Sequence, residues 1–174
     1  MDKKELKEAL ERTGAVKYGK FKLSSGRESD YYVDMKMAMT DPSVLKGIAR
    51  EAAKHVKGAA RLAGMELGAV PLVVAVALET GIPYLIVRKE KKGYGTGNKV
   101  EGKISKGDRV VVLEDVTTTG ASSLKAVNAI KEAGGTVEKV VVVVDRQEGA
   151  EALLKKEGIS LVPLITRADL GVKG

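Results

Sequence analysis

Leu6, Ala9 and Leu10 share one face of the stretch Lys3–Arg12, with Thr13-Gly14 behind them as a stop, and this spacing predicts a short amphipathic helix. Residues 21–27 and 31–34 read instead as two β-like runs. The turn-rich stretch holding Gly26, Ser29 and Asp30 separates them, which predicts a hairpin ahead of the main fold. Between residues 41 and 57, Val44, Ile48, Ala52 and Val56 recur at helical spacing, with Asp41 placed as the cap and Pro42 in the first turn.

From there strand and helix patterns alternate. Residues 59–63 lead through Gly64-Met65-Glu66-Leu67-Gly68-Ala69 into an Ala/Val-rich helical run closing at Glu79-Thr80-Gly81, followed by a strand over 84–88. Residues 89–97 carry Gly93, Gly95 and Gly97 with almost no apolar anchor and are expected to form an exposed, mobile loop. Residues 110–113 form a fully apolar strand, residues 122–133 a helix ending at Gly134-Gly135, and residues 140–144 an unbroken valine run suited to a parallel strand covered on both faces. A helix over 149–157 and a strand over 161–165 complete the alternation. The pattern predicts an α/β protein, a doubly wound and mainly parallel sheet flanked by helices, with its sites at the strand C-termini.

Composition narrows the chemistry. At 174 residues and 44% hydrophobic content, one domain over 1–174 is expected, with residues 1–40 as an N-terminal hood and 41–174 as the core. Cysteine is absent and His55 is the single histidine, which excludes disulfides, thiolate metal sites and His-rich metal chemistry. His55 is given no catalytic role. The net charge of +7 favours anionic ligands, and an aromatic content of 3% lacks the stacking residues of a single-strand nucleic-acid platform, so small polyphosphates are favoured over nucleic acid. The first residues mix both charges without the apolar core of a secretory signal, and no apolar run reaches the roughly 20 residues of a membrane span. A cytoplasmic protein with no membrane partner is expected.

The most informative segment runs Val110-Val111-Val112-Leu113-Glu114-Asp115-Val116-Thr117-Thr118-Thr119-Gly120-Ala121-Ser122: an apolar strand, two acids, and a small-residue loop opening a helix. Amides and hydroxyls at a helix start converge on an anion, aided by the helix dipole. The acids are suited to accept hydrogen bonds from vicinal ribose hydroxyls, so a ribose 5-phosphate satisfies both halves. Either feature alone would be an ordinary strand end or turn; their conjunction favours a ligand.

This segment resembles the phosphoribosyl pyrophosphate (PRPP) signature of the type I phosphoribosyltransferases. No Walker A pattern competes with it. Within that superfamily the resemblance narrows to the orotate phosphoribosyltransferases: residues 21–32 resemble their N-terminal substrate segment, 64–72 their pyrophosphate loop, 88–95 their catalytic loop, and Asp145-Arg146-Gln147-Glu148-Gly149 their orotate-side motif. The resemblance implies the type I phosphoribosyltransferase fold and the transfer of ribose 5-phosphate from PRPP to orotate, giving orotidine 5′-monophosphate and pyrophosphate in pyrimidine (UMP) biosynthesis.

Residue roles follow by position. The resemblance implies that Glu114 and Asp115 hold the ribose hydroxyls, Asp115 counting with Lys92 as catalytic, while Val116, Thr117, Thr118, Thr119, Gly120, Ala121 and Ser122 wrap the 5-phosphate. Arg88, Lys89, Lys92 and Tyr94 complete the PRPP set, the basic residues lying on the departing pyrophosphate; Thr118 and Arg146 face orotate. A guanidinium fork suits a planar carboxylate. The plainer alternatives are a solvated charge run for the lysines and a structural salt bridge for Arg146. Bacterial relatives often carry Lys where Ser24 stands and His where Tyr94 stands. The resemblance further implies Mg²⁺ bound through PRPP rather than by protein side chains, and a homodimer with shared active sites. The rivals are a phosphoribosyltransferase for a purine or uracil, and a non-catalytic regulator that binds nucleic acid.

Overall fold

The valine-rich runs and the amphipathic stretches fold as α1 (Lys3–Arg12), β1 (Val16–Lys22), β2 (Glu28–Val33), α2 (Met35–Met39), α3 (Pro42–Ala53), β3 (Arg61–Met65), α4 (Val70–Thr80), β4 (Tyr84–Val87), β5 (Val100–Glu101), β6 (Arg109–Thr117), α5 (Ala121–Glu132), β7 (Thr136–Asp145), α6 (Ala150–Lys156) and β8 (Ser160–Thr166). The structure is a computed structural model that describes residues 1–22, 28–90 and 99–172.

Helix starts follow their caps. Asp2 and Glu5 form a reciprocal capping box on α1, and Asp41 accepts from the amides of Ser43 and Val44 with Pro42 in the first turn of α3. Such caps stabilise a helix by about 1 kcal/mol each. Val56, expected on the helix of residues 41–57, is buried beyond its end, because α3 stops at Ala53 and the chain turns toward β3. The short α2, capped by Asp34, was not legible as a helix: five residues are too few for a repeating apolar stripe.

Six strands form one sheet in the order β5-β4-β3-β6-β7-β8, parallel throughout except for the edge strand β5. After β3 the chain moves outward through α4 to β4, and the later strands add on β3's other side. The order therefore reverses between β3 and β6, and in open α/β sheets ligands bind outside the strand C-termini at that switch point. The central strands are covered on both faces: Leu62, Val112, Leu113, Val140, Val142 and Val144 are fully buried.

The hairpin pairs β1 with β2 antiparallel, Val16 opposite Val33 and Lys22 opposite Glu28. Two expectations are corrected. The first strand begins at Val16 rather than Phe21, and Ser29 and Asp30, expected in the turn, lie inside β2. Gly19 and the polar residues around it masked the strand's start, whereas cross-strand pairing overrides the turn preference of Ser and Asp. Residues of α1, β1, β2 and α2 join those of α3, α4 and the sheet in a single apolar cluster, so the N-terminal segment is seated on the core. Tyr18 strengthens that seat by bonding Glu11 and the carbonyl of Leu170, and Lys3 pairs with Asp169 at 2.9 Å.

Candidate active site

Strand β6 runs past the apolar residues 110–113 to Thr117, so the acid pair stands on the strand itself rather than after it. Pairing to β7 explains the extension: Glu114 lies opposite Val142, Val116 opposite Val144 and Thr117 opposite Asp145. Alternation along a strand sends neighbours to opposite faces. Glu114 accordingly turns inward, 6% exposed, where the Ser123 hydroxyl donates to its Oε2 at 3.0 Å. Burial first, and then the neighbouring Asp115 carboxylate, push the Glu114 carboxyl up from 4.5 to about 8. Glu114 therefore keeps its proton at neutral pH in the free protein.

Asp115 takes the other face and meets the loop between β3 and α4. A Cβ on Gly68 would lie 2.5 Å from Asp115 Oδ2, so only glycine allows the loop backbone to approach the carboxylate this closely. Glu66 of the same loop accepts from the Lys89 amide at 2.8 Å, and its own amide donates to the Val87 carbonyl, tying the loop to the end of β4. The segments at 64–72 and 88–89 are thus held side by side.

Thr117 is buried, Thr118 half-buried, and Thr119, Ala121 and Ser122 exposed at the start of α5. Gly120 caps that helix in the left-handed region, φ 84°, and offers no side-chain bond to the first-turn amides. A twelve-residue helix whose first amides lack a side-chain acceptor, following a Thr-rich loop, presents an anion cradle. Val116 instead packs partly buried against the apolar cluster, which leaves its backbone as the part able to serve a ligand.

Arg146 follows β7 one residue beyond Asp145, and its backbone amide donates to the Thr117 carbonyl, fixing it beside the cradle. The turn is built by Asp145, whose carboxylate accepts from the Gln147 amide at 2.8 Å, and by Gln147, held at φ 55° with its side chain accepting from the Ala168 amide. Burial raises the Asp145 carboxyl above its ordinary range. The Arg146 side chain is 8% exposed. Its Nε pairs with Glu148 at 2.9 Å, its Nη2 donates to Ser29 Oγ at 3.3 Å, and the guanidinium sits 4.6 Å from the centre of the Tyr31 ring. The salt bridge considered as the plain alternative for Arg146 is present, together with contacts that join the hairpin to the end of β7.

Arg88 continues β4 with its amide bonded to the Lys99 carbonyl, and its Nε is buried without a hydrogen-bond partner among the described residues. Lys89 is exposed at the same sheet end. Ser24, Lys92 and Tyr94 lie outside the described residues. Sequence reading missed Glu66, Gly68, Ser123 and Glu148 as individual contributors. Ser123 carried a signal, a hydroxyl on the same helix face as Val127 and Ile130; Glu148 pairs locally with Arg146 two residues away, whereas Glu66 and Gly68 depend on contacts between segments distant in sequence.

Among the described residues no cluster of three or more His, Asp or Glu side chains is placed to hold a metal, and no helix is long and apolar enough to cross a membrane.

A doubly wound sheet with an acid pair near the end of a central strand, an open helix start after it and a glycine loop against Asp115 defines a phosphoribosyltransferase, and the chain belongs to the family of the phosphoribosyl transferase domain, whose profile matches residues 38–166. The orotate phosphoribosyltransferase of Methanothermobacter thermautotrophicus is 57% identical over 167 residues, covering 96% of this chain and 93% of that protein. Within the class, the chain belongs to the orotate phosphoribosyltransferase family. The Mycobacterium tuberculosis H37Rv orotate phosphoribosyltransferase solved in complex with PRPP superposes with a TM-score of 0.82 at 35% identity, over 99% of this chain and 100% of that one. The UMP synthase of Leishmania donovani matches with a TM-score of 0.85 at 34% identity, 95% of this chain lying on 36% of that longer one.

Proposed function

We propose that this chain transfers the ribose 5-phosphate of PRPP to orotate, giving orotidine 5′-monophosphate and pyrophosphate in pyrimidine biosynthesis. The observation that carries this reading is the convergence, at the sheet's switch point, of the Glu114-Asp115 pair, the open start of α5 and the buried guanidinium of Arg146. A ring nitrogen of orotate bonds to the anomeric carbon while the bond from that carbon to pyrophosphate breaks and the nitrogen's proton is lost. Positive charge develops on the ribose ring, so the protein acts chiefly by electrostatics and positioning.

Asp115 faces the ribose hydroxyls beside the glycine loop that receives pyrophosphate, and the inward-turned Glu114 is assigned to the same hydroxyls on the family's pattern. Thr117, Thr118, Thr119, Gly120, Ala121 and Ser122 enclose the 5-phosphate, and Arg88 and Lys89 place positive charge on the leaving group. Lys92 and Tyr94 are assigned to the same group on the family's pattern. Arg146 meets the orotate carboxylate, with Thr118 beside it.

The donor set suits Mg²⁺, since the Asp115 carboxylate beside the glycine loop offers hard oxygens without an all-protein cage among the described residues. Mg²⁺ would be held through PRPP oxygens and water, and when bound it would neutralise charge on the leaving pyrophosphate. A cytoplasmic location and a homodimer whose loop lysines serve the partner's site complete the proposal.

The test is orotate consumption, followed by ultraviolet absorbance with PRPP and Mg²⁺ supplied, with Arg146→Ala run beside the parent. Turnover by the parent and a loss of about 100-fold in the variant are expected, the scale of a lost charge-assisted contact to a carboxylate. A parent that turns over a neutral base and not orotate would overturn the assignment.

A further inference from the structure

Tyr31 is 3% exposed, and the proton of its buried hydroxyl finds no acceptor among the described residues. Buried hydroxyls are normally satisfied, because an unpaired one forfeits its hydration for nothing. The Tyr31 ring belongs to the apolar cluster, but charged groups stand near its hydroxyl. The hydroxyl lies in the field of Arg146, Glu148 and Arg167, its oxygen within reach of an Arg146 N–H, and the ring of the same residue carries that guanidinium at 4.6 Å.

Arg146 has spare capacity as well. A guanidinium has five N–H donors. Two of these, Nε to Glu148 and one on Nη2 to Ser29, are used among the described residues. The site therefore holds a phenol whose own proton has no acceptor among the described residues, beside a guanidinium that still has donors to give. Burial pushes the phenol up, so it stays protonated and is itself a donor. Two donor groups, one charged, converging in a place shut off from water match a planar carboxylate.

We propose that Tyr31 is a specificity-determining residue of the orotate site: its hydroxyl donates to the carboxylate of the base alongside Arg146, and its ring holds the guanidinium in position. This rests on the orotate-transfer reading above. A base without a carboxylate leaves the phenol unpaired and gains nothing from it, so the residue works through discrimination as well as affinity.

Tyr31→Phe keeps the ring and removes the hydroxyl. The variant is expected to raise the KM and Kd for orotate by about 10- to 100-fold, the range for a hydrogen bond to a charged group. The KM for PRPP should be unchanged and kcat altered less than threefold or so. Its thermal midpoint should stay close to the parent's, since the hydroxyl removed donates to no group among the described residues of the free protein. Tyr31→Leu removes the platform too and should lose more affinity for orotate, with Tyr31→Phe recovering the part due to the ring. Direct titration of each protein with orotate, and with uracil as the uncharged comparison, reads binding independently of turnover. If the parent binds and turns over orotate but Tyr31→Phe matches it in Kd and KM, the inference fails and the functional reading stands. A lowered midpoint with unchanged orotate affinity would likewise overturn it, by making the hydroxyl structural. Failure of the parent to bind orotate would overturn both.

Discussion

Replacing Glu114 by Gln tests the electrostatics of the acid pair through folding stability. The Glu114 carboxyl titrates near 4.5 in an ordinary environment and at about 8 in the folded protein, so between those values the native state binds a proton that the unfolded chain does not. The stability this provides is fully present below pH 4.5 and is lost as pH rises through 8. At about 1.4 kcal/mol per unit, the loss across the window is on the order of 5 kcal/mol. Glutamine has nearly the shape of the protonated acid and no proton to lose, and it can still accept from Ser123. Urea unfolding of both proteins at intervals from pH 5 to pH 9.5 isolates the effect, because the other titrating groups cancel in the difference. The two should be close at pH 5, and the variant should become the more stable by several kcal/mol above pH 8, with similar m-values. A stability difference that stays flat across that range would refute the assignment of a raised Glu114.

Gly68→Ala would place a Cβ 2.5 Å from Asp115 Oδ2 and 2.9 Å from its Cγ, so the carboxylate must shift; kcat/KM for PRPP should fall by about 10- to 100-fold in steady-state assays while the fold is retained. Gly120→Ala forces a left-handed conformation on a side chain whose Cβ would meet Ala150 Cα at 3.0 Å, and denaturant unfolding should show a loss of about 1–3 kcal/mol together with weaker PRPP binding. Complete chelation of divalent ions should abolish turnover and added Mg²⁺ should restore it; activity that survives chelation would remove Mg²⁺ from the reaction.

Local patterns made much of the framework legible. Each strand of residues 110–113 and 140–144 declares itself by an apolar run, and α1 and α3 by one-sided spacing, α3 also by Asp41 at its start. Backbone propensity and burial act within a few residues, so a linear reading captures them. The acid pair with its Thr/Gly loop was visible for the same reason, being contiguous, and its likeness to the phosphoribosyltransferase signature agrees with the family match. Local reading erred where pairing partners decide: β6 continues through the acids because β7 lies beside it, and Ser29 is a strand residue because β1 is opposite.

Sequence alone thus determined the order of the larger strands and helices, the strand–loop–helix that forms the cradle, and the identity of Glu114, Asp115 and Arg146 as the residues to examine, while the short α2 and β5 escaped it. Only the tertiary structure decided which side chains face one another. Gly68 meets Asp115 across the switch point, Ser123 reaches back to Glu114, and Tyr31 and Ser29 arrive at Arg146 from more than a hundred residues away. The protonation of Glu114 belongs to the same class of fact. A carboxylate's pKa depends on how much water it loses and which charge stands beside it, and both are set when β6 is covered on its two faces.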